Sequence, residues 1–198
     1  MENYNKFIYY INKIIDIIFI SILWTVCSLP VFTLGASTIT AYECIHGSVF
    51  HDQGYVFRTF FSAFRKNLKT GCLITLLFLP ACLLSALSLY LTSQQSLGNL
   101  TYLFLILSIL VFAACFLSLL HLCCIAARFQ YPVNTLVQLV ITVLAKDIFQ
   151  NILLLFLFIC VLDLVIYYPP SLFFVPGAYL VLCYIIEEQI FRKHIKNL

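Results

Sequence analysis

Long apolar runs separated by short polar connections organise this chain. A helix needs about 20 apolar residues to cross ~30 Å of hydrocarbon, and the runs 14–33, 71–91, 100–127, 148–168 and 172–186 reach or approach that length. They predict an all-α, polytopic membrane protein with about five transmembrane helices, forming one integral membrane domain over residues 1–198. Between the first two runs the pattern changes. As one helix, 55–69 places Phe57, Phe60, Phe61, Phe64 and Leu68 within an arc of about 100°, with Arg58, Arg65, Lys66 and Lys69 on the neighbouring arc. An apolar stripe beside a cationic one predicts an amphipathic helix lying on the membrane surface. Its aromatic and basic residues, with Asn67, are candidates for contact with a partner or with lipid headgroups.

The same spacing recurs eighty residues later, where Val137, Val140, Ile141, Leu144 and Ile148 stand in place of the five apolar positions and Lys146 in place of Lys66. This predicts a second surface helix over 135–147 and two imperfect units of span, surface helix and span, followed by a fifth helix. Arg58, Arg65 and Lys69 correspond to Gln138, Ala145 and Phe149, so the first surface helix is the more electrostatic one.

Composition strengthens the membrane reading. Residues of the AVILMFWYC set make up 63% of the chain and charged residues 10%, against about 25% charged in soluble domains, and the mean hydropathy is +1.05. A net charge of +3 is too small to argue for nucleic acid. The first run is long enough to span and lacks a compact cleavable pattern, so no signal peptide is expected. The nine cysteines mostly sit inside apolar runs, without zinc spacing, as small hydrophobes would.

Lysine and arginine in the connections set the orientation. Arg58, Arg65, Lys66, Lys69, Arg128, Lys146, Arg192, Lys193 and Lys196 fall on one side of a five-span layout, and only Lys6 and Lys13 on the other. The expectation is a plasma-membrane protein with its N-terminus outside and its C-terminus in the cytoplasm.

Candidate chemistry is sparse. Lys13 and Asp16 near the start of the first span, with Asp163 near the end of the fourth, read either as a polar intramembrane site or as charges snorkelling to headgroups. His121 is the histidine within a span, without a carboxylate at metal spacing, and reads as a hydrogen-bonded core residue. Glu187 and Glu188, just before Arg192 and Lys193, are expected to form solvated pairs, and no neighbouring residue recommends His46 or His51 as a ligand. Activated-nucleophile, phosphate-loop and H-E-x-x-H patterns do not occur, so no catalytic residue, cofactor or metal is expected.

The segment after the first span carries more information. Pro30 ends or kinks the helix, Thr33 is placed to cap a new one, and Gly35, Ala36 and Ser37 let another helix approach closely. Trp24, the Leu29-Pro30-Val31 turn, Thr33, Gly35-Ala36-Ser37 and Ala41, continuing through Gly54, Phe57, Phe60, Phe64, Arg65 and Asn67, resemble the YesL-like family of small bacterial membrane proteins. Beyond the first third the likeness lies chiefly in span layout and in Ala127-Arg128-Phe129. Members are typically encoded beside carbohydrate importers of the ATP-binding-cassette class. The resemblance thus implies an accessory membrane subunit, or an assembly or gating factor, that packs against the permease subunits of such an importer. The alternative is a small independent transporter or channel whose polar path runs past Lys13, Asp16, Asp163 and His121.

Overall fold

A computed structural model describes residues 2–51, 55–94, 99–129 and 133–194. Gly54, Lys196 and the side chain of Lys6 lie outside the described residues. The elements are α1 (Glu2–Ser28), a 3-10 turn (Val31–Thr33), α2 (Leu34–Cys44), a π-turn (Ile45–Phe50), α3 (Val56–Gln94), α4 (Asn99–Arg128), α5 (Val133–Lys146), α6 (Ile148–Tyr167), a 3-10 turn (Pro169–Phe173) and α7 (Val175–His194). The protein is a polytopic helical membrane protein. Among the described residues, α1, α3, α4 and α6 are long and apolar enough to cross a bilayer. At 20 residues α7 has the length, but Glu187 and Glu188 keep it short of that apolarity, so the expected fifth span is the least lipid-like of the long helices.

Two expectations about layout are corrected. Tyr55 to Lys69 is not a separate surface helix, because α3 runs unbroken for 39 residues, through Pro80. Nothing between Lys69 and Gly71 breaks it: Thr70 and Gly71 continue the turn, and Thr75 Oγ1 donates to the Gly71 carbonyl at 2.9 Å. In the second stretch α5 is a separate helix, with Leu136, Val140 and Val143 buried and Val137 and Ile141 exposed.

The second correction concerns the termini. Lys13 Nζ donates to the Ser48 carbonyl at 2.5 Å, which places the early part of α1 beside the π-turn. Thr25 Oγ1 donates to the Leu172 carbonyl at 3.2 Å, which places the late part of α1 beside the turn that follows α6. The N-terminal part of α1 therefore shares an end of the bundle with the C-terminal part of α7, instead of lying opposite it. The physical reason is α2. At 11 residues, with Ser37, Thr38 and Thr40 in it, it does not read as a pass, yet it returns the chain antiparallel to α1 through the protein interior.

The hydroxyls of Ser37, Thr38 and Thr40 are tolerated there because each finds an acceptor. Thr40 Oγ1 donates to the Ala36 carbonyl at 2.7 Å and Thr38 Oγ1 to the Leu34 carbonyl at 2.8 Å, and Trp24 Nε1 donates to Thr38 Oγ1 at 3.2 Å. The expected close approach at Gly35-Ala36-Ser37 is present and its partner is α3. A Cβ on Gly35 would lie 2.5 Å from the Gly71 carbonyl oxygen, and one on Gly71 would collide with the backbone of Ala36. The Gly35 N–H donates to Thr75 Oγ1 at 2.8 Å. Thr33 stands at the cap position of α2 but makes no side-chain cap. Its hydroxyl lies 2.6 Å from the carbonyls of both Cys27 and Pro30, tying the turn to the end of α1.

Candidate functional site

At the basic end of the bundle, charged and hydrogen-bonding side chains collect in two connected layers. The inner layer is fully buried. His121 of α4 and Glu187 of α7 both have side chains with no exposure, and Nδ1 lies 2.6 Å from Glu187 Oε1. His121 Nε2 lies 2.9 Å from Asn151 Oδ1 of α6. The Asn151 amide is oriented by its other end, where Nδ2 donates to the carbonyls of Val143 and Leu144 at 3.3 and 3.2 Å. With Oδ1 thus turned to the ring, Nε2–H must donate to it. Nδ1 and Oε1 then share one further proton, so the pair is neutral overall whichever atom holds it, which suits a site shielded from water.

These contacts position three helices. The Asn151 amide donates to carbonyls in the last turn of α5, where the Val143 carbonyl also accepts from Asp147 N–H at 3.0 Å, and so fixes the elbow at Asp147 where α5 meets α6. Asp147 is buried and its Oδ1 accepts from Lys193 Nζ of α7 at 2.7 Å. Glu187 Oε2 and the hydroxyls of Tyr42 and Tyr179 are buried without a hydrogen-bond partner among the described residues.

The outer layer meets solvent. Arg128, the last residue of α4, pairs with Glu188 through Nε at 2.8 Å and donates through Nη1 to His46 Nε2 at 2.7 Å. Because Nε2 accepts, the proton of the neutral His46 ring sits on Nδ1, which donates to Tyr184 OH at 2.7 Å. His51 Nδ1 donates to the His46 carbonyl at 2.7 Å. Burial and the nearby Arg128 and His51 hold His46 below the ordinary histidine value, with Glu188 opposing them.

The expected site residues are dispersed. Lys13 is engaged at Ser48, whereas Asp163 lies 15 residues into α6, about 22 Å along the axis from the Asp147 elbow. Lys13, Asp16 and Asp163 therefore form no single polar site. Within 56–69, Phe60 is fully buried and Asn67 nearly so, and Phe64 packs against the core. They face the protein's own bundle, while Phe57, Arg58, Phe61 and Arg65 line an outward surface groove. Phe57 and Phe61 pack together there at 4.9 Å between ring centroids. His121 is the core residue the sequence led us to expect, but its carboxylate was missed: Glu187, read as solvated, sits 66 positions away. The available signal was placement, since an acid twelve residues into an apolar helix falls on the same face as Cys183 and Tyr179 at four-residue spacing.

No curated protein and no solved structure matches the chain. Residues 17–89, from within α1 through most of α3, match the family model described as "Protein of unknown function, DUF624".

Proposed function

We propose that this protein is a non-catalytic accessory membrane subunit, or an assembly or gating factor, that packs against the permease subunits of a carbohydrate importer of the ATP-binding-cassette class in the bacterial plasma membrane. The observation that carries a docking role is the outward stripe on α3. Phe57 is 63% exposed and Phe61 38%, beside Arg58 and Arg65, at an end of the molecule rich in cations. Aromatic residues, phenylalanine among them, and arginine are enriched at protein interfaces. The importer as partner rests on the YesL-like resemblance, and the DUF624 match over residues 17–89 includes the stripe.

We also assign the basic end to the cytoplasm. Lys13, Arg58, Arg65, Lys66, Lys69, Arg128, Lys146, Arg192 and Lys193 lie there, as cations near membrane-spanning segments do on the cytoplasmic face. An independent transporter finds less support, because Lys13 and Asp163 lie toward opposite ends of the bundle.

Gentle extraction of the tagged protein from native membranes, followed by identification of what accompanies it, tests the proposal. Permease subunits should co-purify with the wild type. Recovery of the chain alone in every detergent tried overturns the accessory role.

A further inference from the structure

A cleft of about 510 Å³ opens at the basic end where α2, α3, α4 and α5 meet. Glu43, Lys66, Asn67 and Thr70 supply its polar lining, and Ile39 and Leu136 contribute apolar wall. Its depth in the membrane follows from the sequence around it. The apolar run of α3 begins at Gly71 and that of α4 ends at Ala127, so the cleft sits where hydrocarbon gives way to headgroups.

The lining has unspent hydrogen-bonding capacity. Asn67 is 8% exposed, and its Nδ2 has no hydrogen-bond partner among the described residues. A buried donor left unmade is costly and calls for an acceptor oxygen. Lys66 Nζ lies 3.9 Å from Glu43 Oε1, a long ion pair, and the lysine side chain is 62% exposed. Its charge is loosely held, as is that of the carboxylate. Arg128, which also borders the cleft, is already committed to Glu188 and His46.

We propose that this cleft binds the phosphoethanolamine headgroup of a zwitterionic phospholipid. Lys66 Nζ, Asn67 Nδ2 and Thr70 Oγ1 take the phosphate oxygens, and Glu43 takes the ammonium. Donors beside a single acceptor, at headgroup depth, match a ligand that carries both charges. The acyl chains have a track: Leu73 and Leu77 follow Lys66 and Thr70 at seven-residue spacing, hence on nearly the same face of α3, and are 61% and 69% exposed. That track favours a lipid over a free phosphate.

The test uses the full chain in nanodiscs containing equal parts of phosphatidylethanolamine, phosphatidylcholine and phosphatidylglycerol with identical acyl chains. Native mass spectrometry after release reads which lipid is retained. Retention of phosphatidylethanolamine should exceed that of each of the others about tenfold, the weight of one or two charge-assisted hydrogen bonds. Glu43→Gln should erase the preference over phosphatidylcholine, and the exposed-site variant Lys66→Gln/Thr70→Val should lower retention of all three. Inorganic phosphate at millimolar concentration should not displace the lipid. Equal retention in the wild type, an unchanged preference in Glu43→Gln, a preference for phosphatidylglycerol, or displacement by phosphate each overturns the proposal.

Discussion

A histidine and a glutamate with fully buried side chains, hydrogen-bonded inside a membrane bundle, make the protein sensitive to single atoms. Removing one partner of such a pair leaves the other uncompensated, and the penalty is about 3–5 kcal/mol. His121→Ala should therefore lower unfolding stability by about that amount, whereas His121→Leu combined with Glu187→Met should recover most of it. Thermal or denaturant unfolding in one detergent reads both. His46 gives a pH dependence. Its folded-state affinity for protons lies below the ordinary value of 6.5, so its contribution to stability is present above that pH. The contribution is lost as pH falls from about 6.5 toward the lower folded value, because protonation removes the acceptor used by Arg128. His46→Gln should flatten stability over that window, measured as unfolding midpoint against pH. Periodicity showed His121 to be internal but could not show its carboxylate, because residues 66 apart are joined only by tertiary packing.

At the scale of elements, the face on which each α3 residue sits decides what its loss should do. Phe60→Ala should cost about 3–5 kcal/mol, as large-to-small changes in a packed core do, and should lower the yield of folded protein. Phe57→Ala/Phe61→Ala should leave the unfolding midpoint nearly unchanged and abolish co-purification of the permease subunits. Loss of the partner with Phe60→Ala alone, and retention with the double variant, contradicts the outward stripe as the docking surface. The α2–α3 crossing supplies a separate test. Gly71→Ala drives a Cβ into the Ala36 backbone, and because backbone cannot move aside cheaply, a loss of about 1–3 kcal/mol is expected from overpacking. The small-residue motif at Gly35-Ala36-Ser37 was readable from sequence because it encodes a local requirement. The partner of that motif, and the continuity of α3, were not, since a basic amphipathic stretch followed by an apolar one has the same pattern whether it bends or runs straight.

The layout of the whole molecule depends on one short element. Hydropathy located α4 and α6 to within a residue or so at each end, yet the sidedness of α1 hung on α2, whose hydroxyls hide it among the polar connections. Reporter fusions at the two ends of the chain should accordingly report the same side of the membrane, and a reporter inserted between α3 and α4 the opposite side. A fluorescent protein and alkaline phosphatase serve as the complementary pair. Opposite signals from the two termini contradict the fold.

The unbroken length of α3 has a further consequence. From Phe57 to Gly71, where its apolar run begins, the helix rises about 21 Å, whereas the headgroup layer on one side of a bilayer is only ~5–8 Å deep. Along its axis, α3 carries the stripe clear of the lipid as a mast does, and out of reach of any companion confined to the membrane. Under the proposed role, the permease surface to probe by crosslinking is therefore its loops outside the bilayer, not its transmembrane helices.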